Sequence, residues 1–180
     1  MNHVQLSKKI SLVLRHEPWL YELELDPKGW TSLEDLLEGL RSEKKEWEQV
    51  SLEDIQQILA SADKQRFELR KGQIRALYGH SFAEKIVRTK STPPEFLFHG
   101  TSPAALDAIN GKGLLPMNRQ YVHLSVDRET ATLVGKRKSK TPVMLCVDAQ
   151  AADSSGISFY RGNDNVWLTD HIPPQFITQE

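Results

Sequence analysis

The chain has 180 residues, 39% of them hydrophobic and 26% charged, with 23 Lys and Arg against 24 Asp and Glu. That is the composition of an ordinary globular protein, long enough for one large domain or two small ones sharing a core. The net charge of -1 excludes a generic nucleic-acid glue, so a polyanionic partner must be met by local basic clusters.

Both halves are balanced: residues 1–90 hold fifteen Lys/Arg and fifteen Asp/Glu, residues 91–180 eight and nine, so neither half is a basic arm. No apolar run approaches the ~18–20 residues that cross a membrane. The opening MNHVQLSKKI lacks an apolar signal core, so no export and a cytoplasmic location are expected. Cys146 is the only cysteine, which rules out intrachain disulfides and cysteine-based zinc sites. Within "PVMLCV" it reads as a buried structural thiol. No metal is expected, and a monomer is the default.

In chain order, "LSKKISLVLRH" places Leu6, Ile10, Val13 and Leu14 on one helical stripe, closed by Pro18. "TSLEDLLEGL" opens with Thr31 and carries Glu34 three residues on, a capping-box pattern, with Leu33, Leu36, Leu37 and Leu40 as its stripe. "SLEDIQQILASAD" repeats the idea, with Ser51 as cap and Leu52, Ile55, Ile58 and Leu59 as stripe. "RFEL" and "IRAL" then alternate around a turn at "RKGQ". Three short helices and a two-stranded ribbon is the order of a winged helix-turn-helix.

"STPPEF" marks a boundary, with residues 89–95 as linker. Beyond it, "FLFHG", "YVHLS", "PVMLCV", "GISFY" and "VWLTD" are strand candidates. "SPAALDAINGKG" reads as a short helix capped by Ser102 and ended by Gly111 or Gly113, and "SVDRETATLVGKR" as another. The fold class expected is therefore α+β, with lobes at 1–90 and 95–180. There are no repeats.

Phosphate loops of the Walker or Rossmann type are absent, so a nucleotide must be held another way. In "FLFHGTS" a strand ends in His99, Gly100 and Thr101, where glycine permits close approach and the other two offer polar groups. "YVHLS" repeats the arrangement with His123 and Ser125, so the two strands read as walls of one cleft. Arg15 and His16 end the first helix. They suit the macrodipole there, or they face an anion. If Ile74 and Ala76 face the core, Arg75 faces away from it, ahead of Gly79, His80 and Ser81. Arg119 lies in a loop before the second strand. "KRKSK" at 136–140 reads as a solvated basic loop within reach of an RNA backbone.

"LSKKISLVLRH", "GWTSLEDLL", "IRALYGHS", "LFHGTS", "GLLPMNRQYVHLS", "GKR" and "VWLTDHIPP", in that order, resemble the NAD-dependent RNA 2′-phosphotransferases, over nearly the whole chain. The resemblance implies an N-terminal winged-helix lobe that grips RNA and a C-terminal β-rich lobe of ADP-ribosyltransferase fold that binds NAD⁺. It implies removal of an internal RNA 2′-phosphate, typically at a tRNA splice junction, in two steps. The phosphate is first ADP-ribosylated with release of nicotinamide. Transesterification then yields RNA with a 2′-hydroxyl and ADP-ribose 1″,2″-cyclic phosphate.

Residue by residue, the family's catalytic quartet maps onto Arg15, His16, Arg75 and Arg119. Its NAD-binding signature maps onto His99, His123 and Val166, with Gly100, Thr101 and Ser125 beside them. His80 and Ser81 join Arg15, His16 and Arg75 at the RNA phosphate. Many ADP-ribosyltransferases carry a glutamate where "NDNVWL" has Val166. A phosphomonoester near neutral pH is already mostly dianionic, so it needs cationic forks rather than a base. His16 is the proton donor expected for the departing ribose oxygen. For adenine, the turn at 161–165 and Asp148 are candidates. The competing readings are an NAD-sensing RNA-binding regulator, a protein-directed ADP-ribosyltransferase, and ADP-ribosylation of terminal nucleic-acid phosphates.

Overall fold

The computed structural model of the chain describes residues 2–180. It is mixed α and β, with two separate antiparallel sheets. The chain divides into two compact units, Met1–Val87 and Arg88–Glu180. Lys90 and Ser91, within the stretch expected as a linker, belong to the second unit. Lys90 bridges to Tyr160, and the Ser91 N–H donates to the Phe159 carbonyl at 2.8 Å.

The first unit holds α1 (His3–Arg15), β1 (Thr31–Ser32), α2 (Leu33–Glu43), α3 (Leu52–Ser61), β2 (Phe67–Arg70) and β3 (Gln73–Ala76). The α1 stripe is fully buried, as spacing predicts, and joins Leu36, Leu40, Ile55 and Ile74 in one core. At ~1.5–3 kcal/mol for each large apolar side chain removed from water, this burial is what holds the short helices in place. Two local expectations shift. Ser32, not Thr31, caps α2 by accepting from the Asp35 N–H at 3.2 Å. The helix starts at Leu33, so Ser32 directly precedes it, and Thr31 lies one residue further back in β1, opposite Ile74. Leu52, expected in the α3 stripe, is exposed. In the first turn of α3 it lies outside the Ile55 and Ile58 face that packs on α1.

Ser51 does begin α3. The Asp54 carboxylate accepts from the Ser51 N–H at 3.0 Å and from its hydroxyl at 3.2 Å. The β2–β3 hairpin closes through Lys71 and Gly72, both at positive φ (48° and 75°), the geometry of a two-residue turn that follows the strand twist. With β1, the hairpin forms a three-stranded sheet in the order β1-β3-β2.

The second unit holds β4 (Phe96–Thr101), α4 (Leu106–Lys112), β5 (Val122–Ser125), α5 (Arg128–Gly135), β6 (Val143–Asp148), α6 (Ala149–Ser154), β7 (Phe159–Arg161), β8 (Val166–Thr169) and β9 (Ile177–Gln179). All five expected strands form. β9 and α6 are additions: β9 is a short tail strand that pairs along β6, and α6 is capped by Asp148. The sheet order is β7-β8-β5-β4-β6-β9.

Uneven pairing divides this sheet. β4 and β6 pair along six positions, and β5 and β8 along four. Among the described residues, β4 and β5 share a single register pair, Phe98 with Ser125. The six strands thus form two three-stranded halves joined at one point. Gly113, not Gly111, ends α4, at φ 78° and against the Ile172 carbonyl, where a Cβ would lie 1.9 Å away.

Candidate functional site

In the first unit the chain returns to the end of α1. The Ser81 N–H donates to the Arg15 carbonyl at 2.9 Å, which satisfies one of the helix's last acceptors. The Ser81 hydroxyl lies 2.7 Å from the His16 Nδ1. The Arg15 guanidinium sits 4.9 Å from the centre of the Tyr78 ring and 5.9 Å from that of Phe67. Gly79, at φ 92°, brings the backbone against it: a Cβ there would stand 3.4 Å from the arginine Cδ. Arg15, His16 and Ser81 are therefore gathered into one cationic, hydroxyl-bearing corner. Its aromatic walls preorganise the arginine fork. His80 is buried, edge-on to Phe82 at 5.5 Å.

Arg75 faces away from Ile74 and Ala76, which are fully buried. It pairs with Glu68, directly opposite on β2, and donates to the Lys28 carbonyl at 3.3 Å. Its guanidinium lies 4.6 Å from the centre of the Trp30 ring. Glu68, Trp30 and Tyr78 are not among the residues that sequence reasoning singles out. The cross-strand partner at 68 is findable from the hairpin register, but the aromatic walls follow only from packing.

In the second unit, His99, Gly100 and Thr101 are the last three residues of β4, as expected, and lie opposite Leu145, Met144 and Val143 of β6. It is the β5 side of β4 that parts. There the His99 Nδ1–H donates to the His123 carbonyl at 2.9 Å, bridging strands whose backbones have separated. Because a carbonyl only accepts, this bond places the proton on Nδ1 and leaves Nε2 as an acceptor. Burial pushes the imidazole down to about 4, and the nearby Lys138 and Arg119 charges reinforce the shift. The ring is therefore neutral at physiological pH. The His123 Nδ1–H is tied in the same way to the Tyr121 carbonyl, at 2.9 Å.

Arg119 is exposed in a turn in which its N–H donates to the Pro116 carbonyl at 3.2 Å. It acts electrostatically on both His99 and Lys138. The Lys138 ammonium is held below its usual value, first by partial loss of water and then by Arg119. Sequence alone places Lys138 in a solvated basic loop; the structure gathers it with His99 and Arg119. Thr101 and Ser125 are buried, and Ser125 lies directly across from Val166 in the β5–β8 ladder.

Gly100 has a packing reason of its own. A Cβ there would meet the Ala131 carbonyl oxygen at 2.1 Å and the Gly135 Cα at 3.1 Å, so the close approach it allows is that of α5. Asp148 caps α6 by accepting from the Ala151 N–H at 2.8 Å. The 161–165 turn is a hairpin end in which the Val166 carbonyl accepts from Gly162 at 2.8 Å and Asn163 at 3.1 Å. Cys146, opposite Phe98 in the β4–β6 ladder, is half-buried rather than fully buried. Partial burial and the Glu180 carboxylate push its thiol pKa up, away from the thiolate a nucleophile needs.

Among the described residues, no group of three or more His, Cys, Asp or Glu side chains could hold a metal ion, and no helix is long and apolar enough to cross a membrane.

Comparison with known proteins bears on the whole chain. A family profile described as "RNA 2′-phosphotransferase, Tpt1 / KptA family" matches residues 1–171. A protein of Bacillus thuringiensis subsp. konkukian named "Probable RNA 2′-phosphotransferase" is 52% identical over 175 residues, covering 97% of this chain and 94% of its own. A protein of the same name from Acetivibrio thermocellus is 48% identical over 180 residues, covering 100% and 98%. One from Hahella chejuensis is 45% identical over 174 residues, covering 96% and 91%. Matched end to end by enzymes of one name, the chain belongs to the RNA 2′-phosphotransferase family.

Proposed function

We propose that this chain removes an internal 2′-phosphate from RNA by transferring it to NAD⁺. The family supports the reaction class and the RNA substrate. The observation that carries the reading is the corner at the end of α1, where Arg15, His16 and Ser81 meet. A phosphomonoester dianion needs no general base. It needs a fixed fork and hydroxyl donors, and this corner offers both. Arg75 would add a second fork, held over the Trp30 ring.

In this reading the first unit is the winged-helix RNA lobe and the second is the ADP-ribosyltransferase-like lobe for NAD⁺. The parting between β4 and β5 suits a ribose. His99 presents a neutral Nε2 that accepts from a hydroxyl, held by a bond that cannot rotate away without breaking. Gly100, Thr101, His123, Ser125 and Val166 complete the proposed lining. Bound NAD⁺ supplies an electrophilic ribose carbon and nicotinamide as leaving group. Arg15 and Arg75 would hold the attacking phosphate. Arg119 and Arg75 would offset charge that builds on phosphorus in the second step. His16 would give a proton to the departing RNA 2′-oxygen. At position 166 the chain carries valine rather than a carboxylate, which favours an anionic phosphate over a neutral acceptor that must lose a proton.

The test is a reaction of the chain with NAD⁺ and a short RNA carrying one internal 2′-phosphate, followed by mass. The expected result is phosphate loss only with NAD⁺, with one ADP-ribose cyclic phosphate formed per RNA. Nicotinamide release with ADP-ribose left on the RNA would mean a transferase that stops after one step. RNA binding with no reaction would mean a regulator.

A further inference from the structure

A groove of about 260 Å³ runs along the outer face of α1 in the first unit. Lys8, Ser7 and Ser11 line it from α1, Ser61 from the end of α3, Arg66 from the start of the hairpin and His3 from the first helical turn. No Asp or Glu lines it, although the chain as a whole carries more acidic than basic residues. The His3 ring is already engaged by Asp54 at 3.2 Å, so the lining offers two cations and three hydroxyls.

The groove lies on the same side of α1 as the Arg15 corner. Val4, Lys8, Ser11 and Arg15 recur at intervals of three and four along α1, which puts them on one side of the helix. Arg66 precedes Phe67, whose ring lies under the Arg15 guanidinium, and the Arg66 carbonyl accepts from the Leu77 N–H at 2.9 Å, one residue before Tyr78. The groove and the Arg15 corner thus share a helix face and a strand. Val4, 66% exposed, gives it an apolar floor that a ribose or base can cover.

We infer that this groove is a track for the RNA backbone flanking the modified nucleotide, with Lys8 and Arg66 as phosphate contacts and Ser7, Ser11 and Ser61 as hydroxyl partners. The inference rests on the proposed RNA reading and deepens it: the enzyme would bind a strand rather than an isolated 2′-phosphorylated nucleotide. Backbone contacts of this kind position a strand without reading its sequence.

The test compares two RNAs, a dinucleotide carrying the 2′-phosphate and a long single strand with the same group internal and flanked on both sides. Binding is read by competition without NAD⁺, so it does not depend on turnover. In the combined variant Lys8→Gln and Arg66→Gln, affinity for the long strand should fall by about tenfold, with dinucleotide affinity unchanged. The slope of log affinity against log salt should shrink by about 1.4 for the long strand, at ~0.7 for each phosphate that no longer meets a cation. In the unmodified chain the long strand should already show the steeper slope, a measurement that needs no variant. Unchanged long-strand affinity, or an equal loss on both RNAs, would overturn the track. If the chain proves inactive toward NAD⁺ but the long strand still loses affinity selectively, the catalytic reading falls and the track stands.

Discussion

His16 and Ser81 lie 65 residues apart in sequence and are joined by a 2.7 Å bond between imidazole Nδ1 and hydroxyl. The bond fixes the ring at the end of α1 and leaves Nε2 for other work. In Ser81→Ala the ring loses that tether. Catalytic turnover should fall about tenfold from lost positioning, whereas His16→Ala should lose about a hundredfold or more by removing the proton donor. Turnover of 2′-phosphorylated RNA, with circular dichroism to verify folding, checks both. Equal, near-normal rates in the two variants would remove His16 from the mechanism.

Arg75 is held by Glu68, the Lys28 carbonyl and the face of Trp30. Lysine cannot reproduce a planar fork that serves three partners at once. Arg75→Lys and Arg119→Ala should therefore impair the second step more than the first, and ADP-ribosylated RNA should build up. A quenched time course resolved by mass measures it. Slowed turnover with no such species would contradict the role assigned to these two arginines.

The His99 ring sets a pH dependence. Its folded value of about 4 lies below the ordinary 6.5, so the unfolded chain binds the proton more readily. Stability must then rise with pH across that interval. The penalty is absent above about pH 7, grows as pH falls through 6.5, and is complete below about 4. It reaches ~3 kcal/mol, because a tenfold difference in proton affinity is worth ~1.4 kcal/mol. Urea unfolding at pH 7 and pH 5 should show a smaller pH difference in His99→Gln than in the unmodified chain. An unchanged difference would show that the imidazole is not buried in its neutral form.

Gly100 answers to α5. A methyl there would overlap the Ala131 carbonyl, which is backbone and cannot swing aside. Gly100→Ala should cost ~3 kcal/mol or more as overpacking, seen as a lower urea midpoint. Gly72 is the control for substitution alone, since a Cβ there meets nothing within 4 Å, though its φ of 75° leaves backbone strain. A Gly100→Ala chain as stable as the unmodified one would mean that α5 can shift, leaving ligand approach as the reason for the glycine.

The local elements are legible because their causes are local. The α1 stripe, the Ser51 cap, the two-residue hairpin and the second unit's five expected strands follow from spacing, capping chemistry and turn preference. So do the residue types of the candidate site, through motifs held at fixed positions. What the sequence could not determine is where those side chains meet. The α2 cap falls on Ser32 rather than Thr31, and Leu52 falls off its stripe, because differences of about 1 kcal/mol in local preference do not fix where a helix starts or which way its first turn faces. The return of Ser81 to His16, the walls around Arg15, the parting of β4 from β5 at His99, and the company Lys138 keeps with Arg119 depend on long-range packing. No single-chain periodicity encodes these, because each joins residues whose separation along the chain carries no regular interval. Sequence determined which chemical groups are available and on which elements. Tertiary structure decided which of them stand together.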